Sequence, residues 1–389
     1  MPILTTALEL LAGIIGAGLL LLWSVANYWF SKSTSIAKKN LKAKLSRRAS
    51  LPVAAIMAAR NEEKNIARSL GGLIQVGYPL AEIIVVDDES TDKTPLIVEN
   101  LSKVDRRIRI VRVENRPKDW MPKPYALSLG AKRVDSAEIL FFVDADIEVE
   151  DAELLQRIIG VEMGSKEILA LIPRFKCTGF YCKAAQAFMT GTVHAFYGFH
   201  RVADPRNKFA WMYGCCWLVK HEYYRIIGGH ELVKNSIVED RDMATVAKIR
   251  GASITPLDAT KAISVKTYET LRGYRSLIAR LTIDRASRIG STRTRIEAAI
   301  VAFIHLAPLF WPILLAVNPL LGALYFSSWL LQEALYARGS RYNNYSPLYS
   351  IPAVIAGTIP VVAGIMDATS KKNVEWKNRT LKTPSSLES

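Results

Sequence analysis

Long apolar runs stand at both ends of this 389-residue chain, whereas residues 50 to 270 read like a soluble protein. A middle of that length is enough for one domain with its own core, so the expected organisation is a soluble domain held between membrane anchors. The first run, Ala7 to Phe30, carries Glu9 as its one charge and ends in Trp23, Tyr28 and Trp29 before Lys32. It is long enough to span a bilayer. A cleavable signal peptide would carry its basic residues ahead of the apolar run, and here they come after it. Lys32, Lys38, Lys39, Lys42, Lys44, Arg47 and Arg48 therefore place the soluble middle of the chain on the cytoplasmic side. After residue 296, three further apolar stretches, 298 to 317, 319 to 337 and 348 to 366, are interrupted by Pro308, Pro312, Pro319, Pro352 and Pro360. If all three cross, the basic tail with Lys371, Lys372, Lys377 and Arg379 lands outside, against the positive-inside preference. One re-entrant or interfacial stretch among them would remove the conflict.

The net charge of +15 is concentrated in three patches, residues 32 to 48, 272 to 295 and 371 to 382, which sum to +17 and leave the rest near −2. Each patch abuts an apolar segment, where basic side chains meet anionic headgroups. No zinc-finger spacing or aromatic RNA-binding motif accompanies the charge, so nucleic acid is the poorer reading and no nucleic-acid partner is expected. Cys177, Cys182, Cys215 and Cys216 form no paired CxxC and no His cluster. That pattern predicts reduced, mostly buried thiols rather than a disulfide framework or a zinc site.

From Leu51 the pattern is alternating α/β. Apolar runs at 52 to 59, 82 to 86, 108 to 113, 138 to 143 and 168 to 172 have strand length, and helical spacing separates most of them. In the first separating segment Asn61 is expected to cap a helix, with Glu62 and Glu63 in its first turn and Ile66, Leu70, Leu73 and Ile74 as its buried stripe. This order predicts a mostly parallel, Rossmann-like sheet. Ligands of such a sheet bind beyond the carboxyl ends of its strands.

Acidic residues stand at those ends. The strand EIIVV runs directly into Asp87 and Asp88, carboxylates suited to ribose hydroxyls or a base edge, with Ser90 able to cap the next helix. The later strand ILFFV runs into Asp144, Ala145 and Asp146; in extended backbone, side chains at i and i+2 point the same way, so two carboxylates converge on one metal ion. A diphosphate needs its charge neutralised, and the chain has neither GxGxxG nor GxxxxGK to supply backbone donors. A divalent metal, Mg²⁺ or Mn²⁺, between carboxylates and phosphate oxygens meets that need. The third element is Glu239, Asp240, Arg241 and Asp242, where Asp240 is the candidate to take a proton from an attacking hydroxyl. Taken singly, each element is also explained by capping or turn chemistry. Phe188, Phe196, Tyr197 and Phe199 read first as packing and second as the wall of an acceptor groove.

The stretches AARNEEKNIARSL, YPLAEIIVVDDESTDKT, KPYALSLGAKR, FFVDADIEVE, GCCWLVKHEYYRIIGG and VEDRDMATVAKIRG together resemble glycosyltransferase family 2, whose catalytic domain has the GT-A fold. The architecture, down to the ending MDATSKKNVEWKNRTLK, further resembles the membrane-bound hopene-associated and carotenoid-type glycosyltransferases. Those proteins commonly end in WKGR; Trp376, Lys377, Asn378 and Arg379 depart at one position. The resemblance implies inverting transfer from a nucleotide sugar, UDP- or GDP-linked, to a lipid or lipid-linked acceptor. It places Ala59, Arg60, Glu62, Asp87 and Asp88 in the nucleoside pocket, Lys123 against the donor, Asp144 and Asp146 at the metal and diphosphate, and Asp240 as the base. The chain lacks the QxxRW motif that many membrane-bound members carry, which disfavours processive polymer synthesis. A polysaccharide synthase and a catalytically silent scaffold are the rival readings. The expected division is an N-terminal anchor (1–31), a basic juxtamembrane linker (32–49), a GT-A domain (50–270), a basic amphipathic interfacial segment (271–296), C-terminal membrane segments (297–367) and a basic cytoplasmic or interfacial tail (368–389). The protein is thus expected to be a multi-pass protein of the cell membrane with a cytoplasmic catalytic domain, and its oligomeric state is left open.

Overall fold

The computed structural model describes residues 2–370 and the strand residues 373–376 and 379–382. Lys371, Lys372 and Lys377 of the basic tail lie outside the described residues. In chain order the elements are α1 (Pro2–Leu45), β1 (Val53–Ala59), α2 (Ile66–Ile74), β2 (Leu80–Asp87), α3 (Thr94–Val104), β3 (Ile108–Arg112), α4 (Pro122–Ala131), β4 (Ile139–Val143) and β5 (Ile147–Val149). Then come α5 (Ala152–Ile159), β6 (Glu167–Ile172), β7 (Arg174–Lys176), α6 (Phe180–Phe196), α7 (Phe199–Ala203), β8 (Cys216–Lys220), α8 (His221–Ile226), α9 (Glu239–Ile249), β9 (Ser253–Asp258) and β10 (Ile263–Lys266). The chain continues through α10 (Leu271–Ile289), α11 (Ser291–Leu306), α12 (Trp311–Val317), α13 (Pro319–Tyr342), α14 (Ala353–Ser370), β11 (Asn373–Trp376) and β12 (Arg379–Lys382).

The five expected strands all form; four are short apolar runs buried almost throughout, and β3, at the sheet edge, is partly buried. They lie in a seven-stranded sheet of order β3-β2-β1-β4-β8-β6-β9. β1 pairs in parallel with β2 and β4, as β2 does with β3 and β6 with β9. β8 runs antiparallel between β4 and β6, a reversal that local periodicity does not announce. Alternate residues feed two cores: Ala55, Met57, Val85 and Phe141 on one face, Ile56, Leu140, Phe142 and Trp217 on the other. A smaller sheet, β5-β10-β7, stands beside the first and begins just after the Asp144–Asp146 turn.

Three details differ from the sequence reading. The helix expected to open at Asn61 begins at Ile66; Asn61 adopts φ 51 and its side-chain oxygen accepts from the Thr91 amide instead. Cys177 and Cys182 are disulfide-bonded rather than reduced, while Cys215 and Cys216 are free and buried as expected. The basic stretch after the first apolar run continues α1 without a break as far as Leu45. There Ala37 is buried in the domain core, Asn40 donates to the Pro256 carbonyl at 3.2 Å, and Lys44 pairs with Glu167 at 2.6 Å. One helix thus ties the apolar layer rigidly to the sheet.

Three helical segments, Thr6–Leu45, Ser291–Val317 and Ala353–Ser370, are long and apolar enough to cross a membrane. α12 and α13 form a hairpin at Asn318, which caps α13 through the Leu320 and Leu321 amides, and Gly322 lets the arms touch at Leu315. α13 runs parallel to α1, with Tyr325 donating to Ala12 and Arg338 donating to Asn27. Its far end meets the domain, where Asn343 accepts from the Phe175 amide. α14 starts beside that end, where the Ala356 carbonyl accepts from Tyr181. It finishes beside α10 and the start of α11: Asp367 takes both arms of Arg275 at 2.6 and 2.7 Å, and the Thr369 carbonyl accepts from Ser291. Both ends of α14 therefore lie on the domain side of the bundle.

The fit between α4 and the sheet is tight, since a Cβ on Gly130 would meet Ile56 at 2.6 Å and Val86 at 3.0 Å. Gly130→Val should lower the unfolding free energy by about 1–3 kcal/mol through overpacking, more than the few tenths of a kcal/mol that helix propensity returns. Thermal or denaturant unfolding of the detergent-solubilised protein measures this, and an unchanged midpoint would show that α4 has room.

Candidate active site

In strand order β2-β1-β4 the parallel strands end together, and the three acidic or basic loops of the sequence reading lie side by side beyond them. On the β1–β2 side Ala59 and Asp87 are register partners. The Asp88 amide donates to the Ala59 carbonyl at 2.8 Å, and Arg60 donates to the carbonyls of Asp88 (2.7 Å) and Glu89 (2.9 Å). The Glu62 amide donates to Thr94 at 2.7 Å, and its carboxylate accepts from Asn65. Glu62, Asp87 and Asp88 are all buried. Asn61 and Glu89 both hold positive φ, 51 and 56, across this seam, backbone geometry that non-glycine residues keep where the surroundings enforce it. Asp87 Oδ1 is buried with no hydrogen-bond partner among the described residues, so a buried acceptor stands at the strand end.

The other half gathers around Lys123 in the first turn of α4. Its ammonium lies 2.9 Å from Asp144 Oδ1 and 2.8 Å from Glu239 Oε1. Burial alone would lower this lysine, but the charges of Asp144, Glu239 and Asp240 outweigh it and hold Lys123 well above the usual lysine value. Asp144 and Asp146 sit in a turn rather than extended backbone, so the alternation expected for them is not what gathers them. The turn itself is anchored by Ser69 of α2, which bonds the Ala145 and Ile147 carbonyls at 2.7 and 2.6 Å. Both carboxylates come within electrostatic reach of Cys215, whose thiol is raised by its hydrogen bond to Cys216, by burial, and by the charges of Cys216, Asp144 and Asp146.

Asp240 opens α9 beside Glu239. Its carboxylate accepts from the Gly214 amide at 2.8 Å and from the Arg241 amide at 2.7 Å. A Cβ at Gly214 would stand 2.7 Å from Asp240 Oδ2, so only glycine allows this approach. Burial, then the neighbouring Glu239 charge, pushes the Asp240 carboxyl up to about 6, against the opposing pull of Lys123 and the two amides. A carboxylate poised there is ionised near neutrality yet basic enough to take a proton. Lys123, Asp144 and Asp240 are thus brought together. Glu239, Ser69 and Gly214 are additions that the sequence reading did not assign to the site: Glu239 was visible as half of an acid pair, but its partner is remote in sequence, and Ser69 and Gly214 carry no local signal.

A mixed sheet flanked by helices, with acids gathered at the carboxyl edge of its parallel half and a second small sheet beside them, is the GT-A fold. Residues 54–227 match the model of glycosyl transferase family 2. It is 27% identical over 252 residues to the 4,4'-diaponeurosporenoate glycosyltransferase of Staphylococcus aureus (strain MRSA252), covering 64% of each chain. To the protein of the same name from Staphylococcus haemolyticus (strain JCSC1435) it is 25% identical over 254 residues, 65% of this chain and 66% of that one. The match thus spans slightly less than two thirds of these relatives. Among solved structures, the mannosyltransferase PcManGT from Pyrobaculum calidifontis, in complex with GDP-Man and Mn²⁺, is 18% identical with a TM-score of 0.49, covering 90% of this chain and 99% of that chain.

The Asp240 shift makes a prediction about stability. With a folded value of about 6 against an ordinary 3.8, the folded state binds more protons than the unfolded state between those pH values. The group's favourable contribution is therefore complete below the ordinary value and is lost as pH rises through about 6. The stability of the native chain relative to Asp240→Asn should decline as pH is raised from about 4 to about 7. Unfolding of both proteins across that range reads the trend, and a constant difference would show that Asp240 titrates in the ordinary carboxylate range.

Proposed function

We propose that this chain is a membrane-bound inverting glycosyltransferase that moves a sugar from a nucleotide sugar to a lipid or lipid-linked acceptor. The observation that carries the reading is the single cluster in which Lys123 joins Asp144 to Glu239 with Asp240 alongside, next to the buried acids of the nucleoside loop. Arg60, Glu62, Asp87 and Asp88, with the Ala59 backbone, are assigned to the nucleoside. Asp144 and Asp146 offer hard oxygen ligands of the kind Mg²⁺ or Mn²⁺ takes. Among the described residues no group of three or more His, Cys, Asp or Glu is placed to hold an ion. When bound, such a cation neutralises charge on the leaving diphosphate.

The acceptor oxygen attacks the anomeric carbon from the face opposite the diphosphate; the new carbon–oxygen bond forms as the bond to the diphosphate oxygen breaks. Asp240 takes the proton of a hydroxyl acceptor, and Lys123 supplies fixed positive charge on the donor side. The relatives are named for 4,4'-diaponeurosporenoate, a carotenoid acid, and an acceptor of that apolar kind suits a site tied to apolar helices. A carboxylate or phosphate acceptor is already ionised, and Asp240 then orients it rather than deprotonating it.

With a hydroxyl acceptor, Asp240→Asn should cut kcat by about 10²- to 10⁴-fold with little change in donor KM. The native kcat/KM should show an acidic limb near the value of about 6 assigned to Asp240, absent in the variant. Chelation should abolish transfer and Mg²⁺ or Mn²⁺ restore it, while Asp144→Ala and Asp146→Ala weaken donor binding. Full turnover in chelator, or loss of nucleotide binding in Asp240→Asn, would overturn these assignments.

The reading also orients the chain. With the basic end of α1 docked on the domain, the positive-inside preference supports a domain on the cytoplasmic face; in the proposed arrangement α11–α12 and α13 cross as a hairpin and α14 lies along the interface against α10. This arrangement returns the basic tail to the domain's side and removes the charge conflict in the sequence. A protease-cleavable tag after Ser389 and the domain itself should both be spared in intact cells and both be cut after permeabilisation; cutting of either without permeabilisation would reject the arrangement.

A further inference from the structure

Asp284 is the single acid among seven arginines between Arg272 and Arg295, and a purely headgroup-facing surface has no use for it. It is buried in α10, facing α9. Its Oδ2 accepts from Arg241 Nη2 at 2.9 Å, and its Oδ1 accepts from Arg288 Nε at 3.2 Å. Arg241 also donates Nε to Asp242 at 3.0 Å; Asp242 in turn accepts from Ser236, whose oxygen takes the Val238 amide at 3.1 Å. The turn that enters α9 is therefore held on both sides of Asp240. The Arg241 amide bonds the Asp240 carboxylate directly. Apolar contact supports the same junction, where Ile237 before α9 packs against Ile283 of α10 and Ala368 of α14. α10 is in turn pressed on α14: a Cβ at Gly364 would lie 2.7 Å from Ile278, and Arg275 is bidentate to Asp367.

We propose that Asp284 is a positioning residue: through Arg241 it lets the α10–α14 layer set the Asp240 carboxylate. The proposal rests on the glycosyltransferase reading for its catalytic part. Long side chains on the lipid side of α10 then serve attachment, whereas the one buried acid transmits that attachment to the base. Asp284 itself bonds Arg241 and Arg288, so its loss frees one arm of the Arg241 guanidinium and acts first on the turn that carries Asp240. Such misplacement reads out in turnover rather than in donor affinity.

The full chain, reconstituted in bilayers, is assayed as Asp284→Asn, Asp284→Glu, Arg241→Lys, Asp240→Asn and the double variant Asp240→Asn/Asp284→Asn. Asp284→Asn is expected to lower kcat by about 10- to 100-fold with donor KM nearly unchanged. Arg241→Lys should show the same split, and Asp284→Glu should recover most of the loss. The double variant should be no slower than Asp240→Asn alone, because both changes act through one group. Hydrogen–deuterium exchange of the peptides carrying Gly214 and Arg241, whose amides bond Asp240, should quicken in Asp284→Asn and not in Asp284→Glu. Additive losses, unchanged exchange at those amides, or a donor KM that rises in step with lost kcat would each overturn the proposal. If the native chain transfers no sugar, the glycosyltransferase reading fails, and the exchange measurements still decide whether Asp284 holds the Asp240 turn.

Discussion

One ammonium shared by two carboxylates holds the three working parts of this site in place. Lys123 comes from α4, Asp144 from the loop after β4 and Glu239 from the first turn of α9, elements far apart along the chain. Each carboxylate would repel the other if the lysine were absent, and removing one partner of a shielded ion pair is costly because the remaining charge is left uncompensated. The same cation lies close enough to Asp240 to oppose the effect of its burial. The balance leaves Asp240 raised but still ionised at neutral pH, which is what proton abstraction requires.

That arrangement depends on close backbone approach beneath it. Gly130 brings α4 onto β1 and β2, and Gly214 brings the chain before β8 against Asp240. In the helical layer, Gly191 and Gly339 let α6 and α13 touch, and Gly357 seats α14 on Phe188. Small residues at helix crossings let the backbones approach to van der Waals contact. The layer is thereby a packed support rather than a loose tether, continuous with the domain through the lower half of α1 and through α10.

Some of this could be read from the residues alone. The five apolar runs became five strands within a residue or two, since strand-length runs bounded by turns leave few alternatives. Asp87, Asp88, Asp144 and Asp146 were recognisable by standing where parallel strands end. The start of α2 was not, because Asn61 and the acids after it bond the facing β2 loop in preference to capping their own helix. The disulfide was likewise hidden, because whether two nearby cysteines meet depends on how the loop before α6 folds.

The sequence by itself determined the segregation of apolar ends from a soluble middle, the α/β order and the chemical types available at the strand ends, because burial and periodicity act over a few residues. Only the tertiary structure decided that β8 reverses between β4 and β6, that Lys123 reaches both Asp144 and Glu239, that both ends of α14 lie beside the domain, and that Asp284 faces Arg241. Those outcomes are set by pairings between distant segments, where sheet register, helix packing and the enclosure of charge are satisfied together and no local pattern carries the answer.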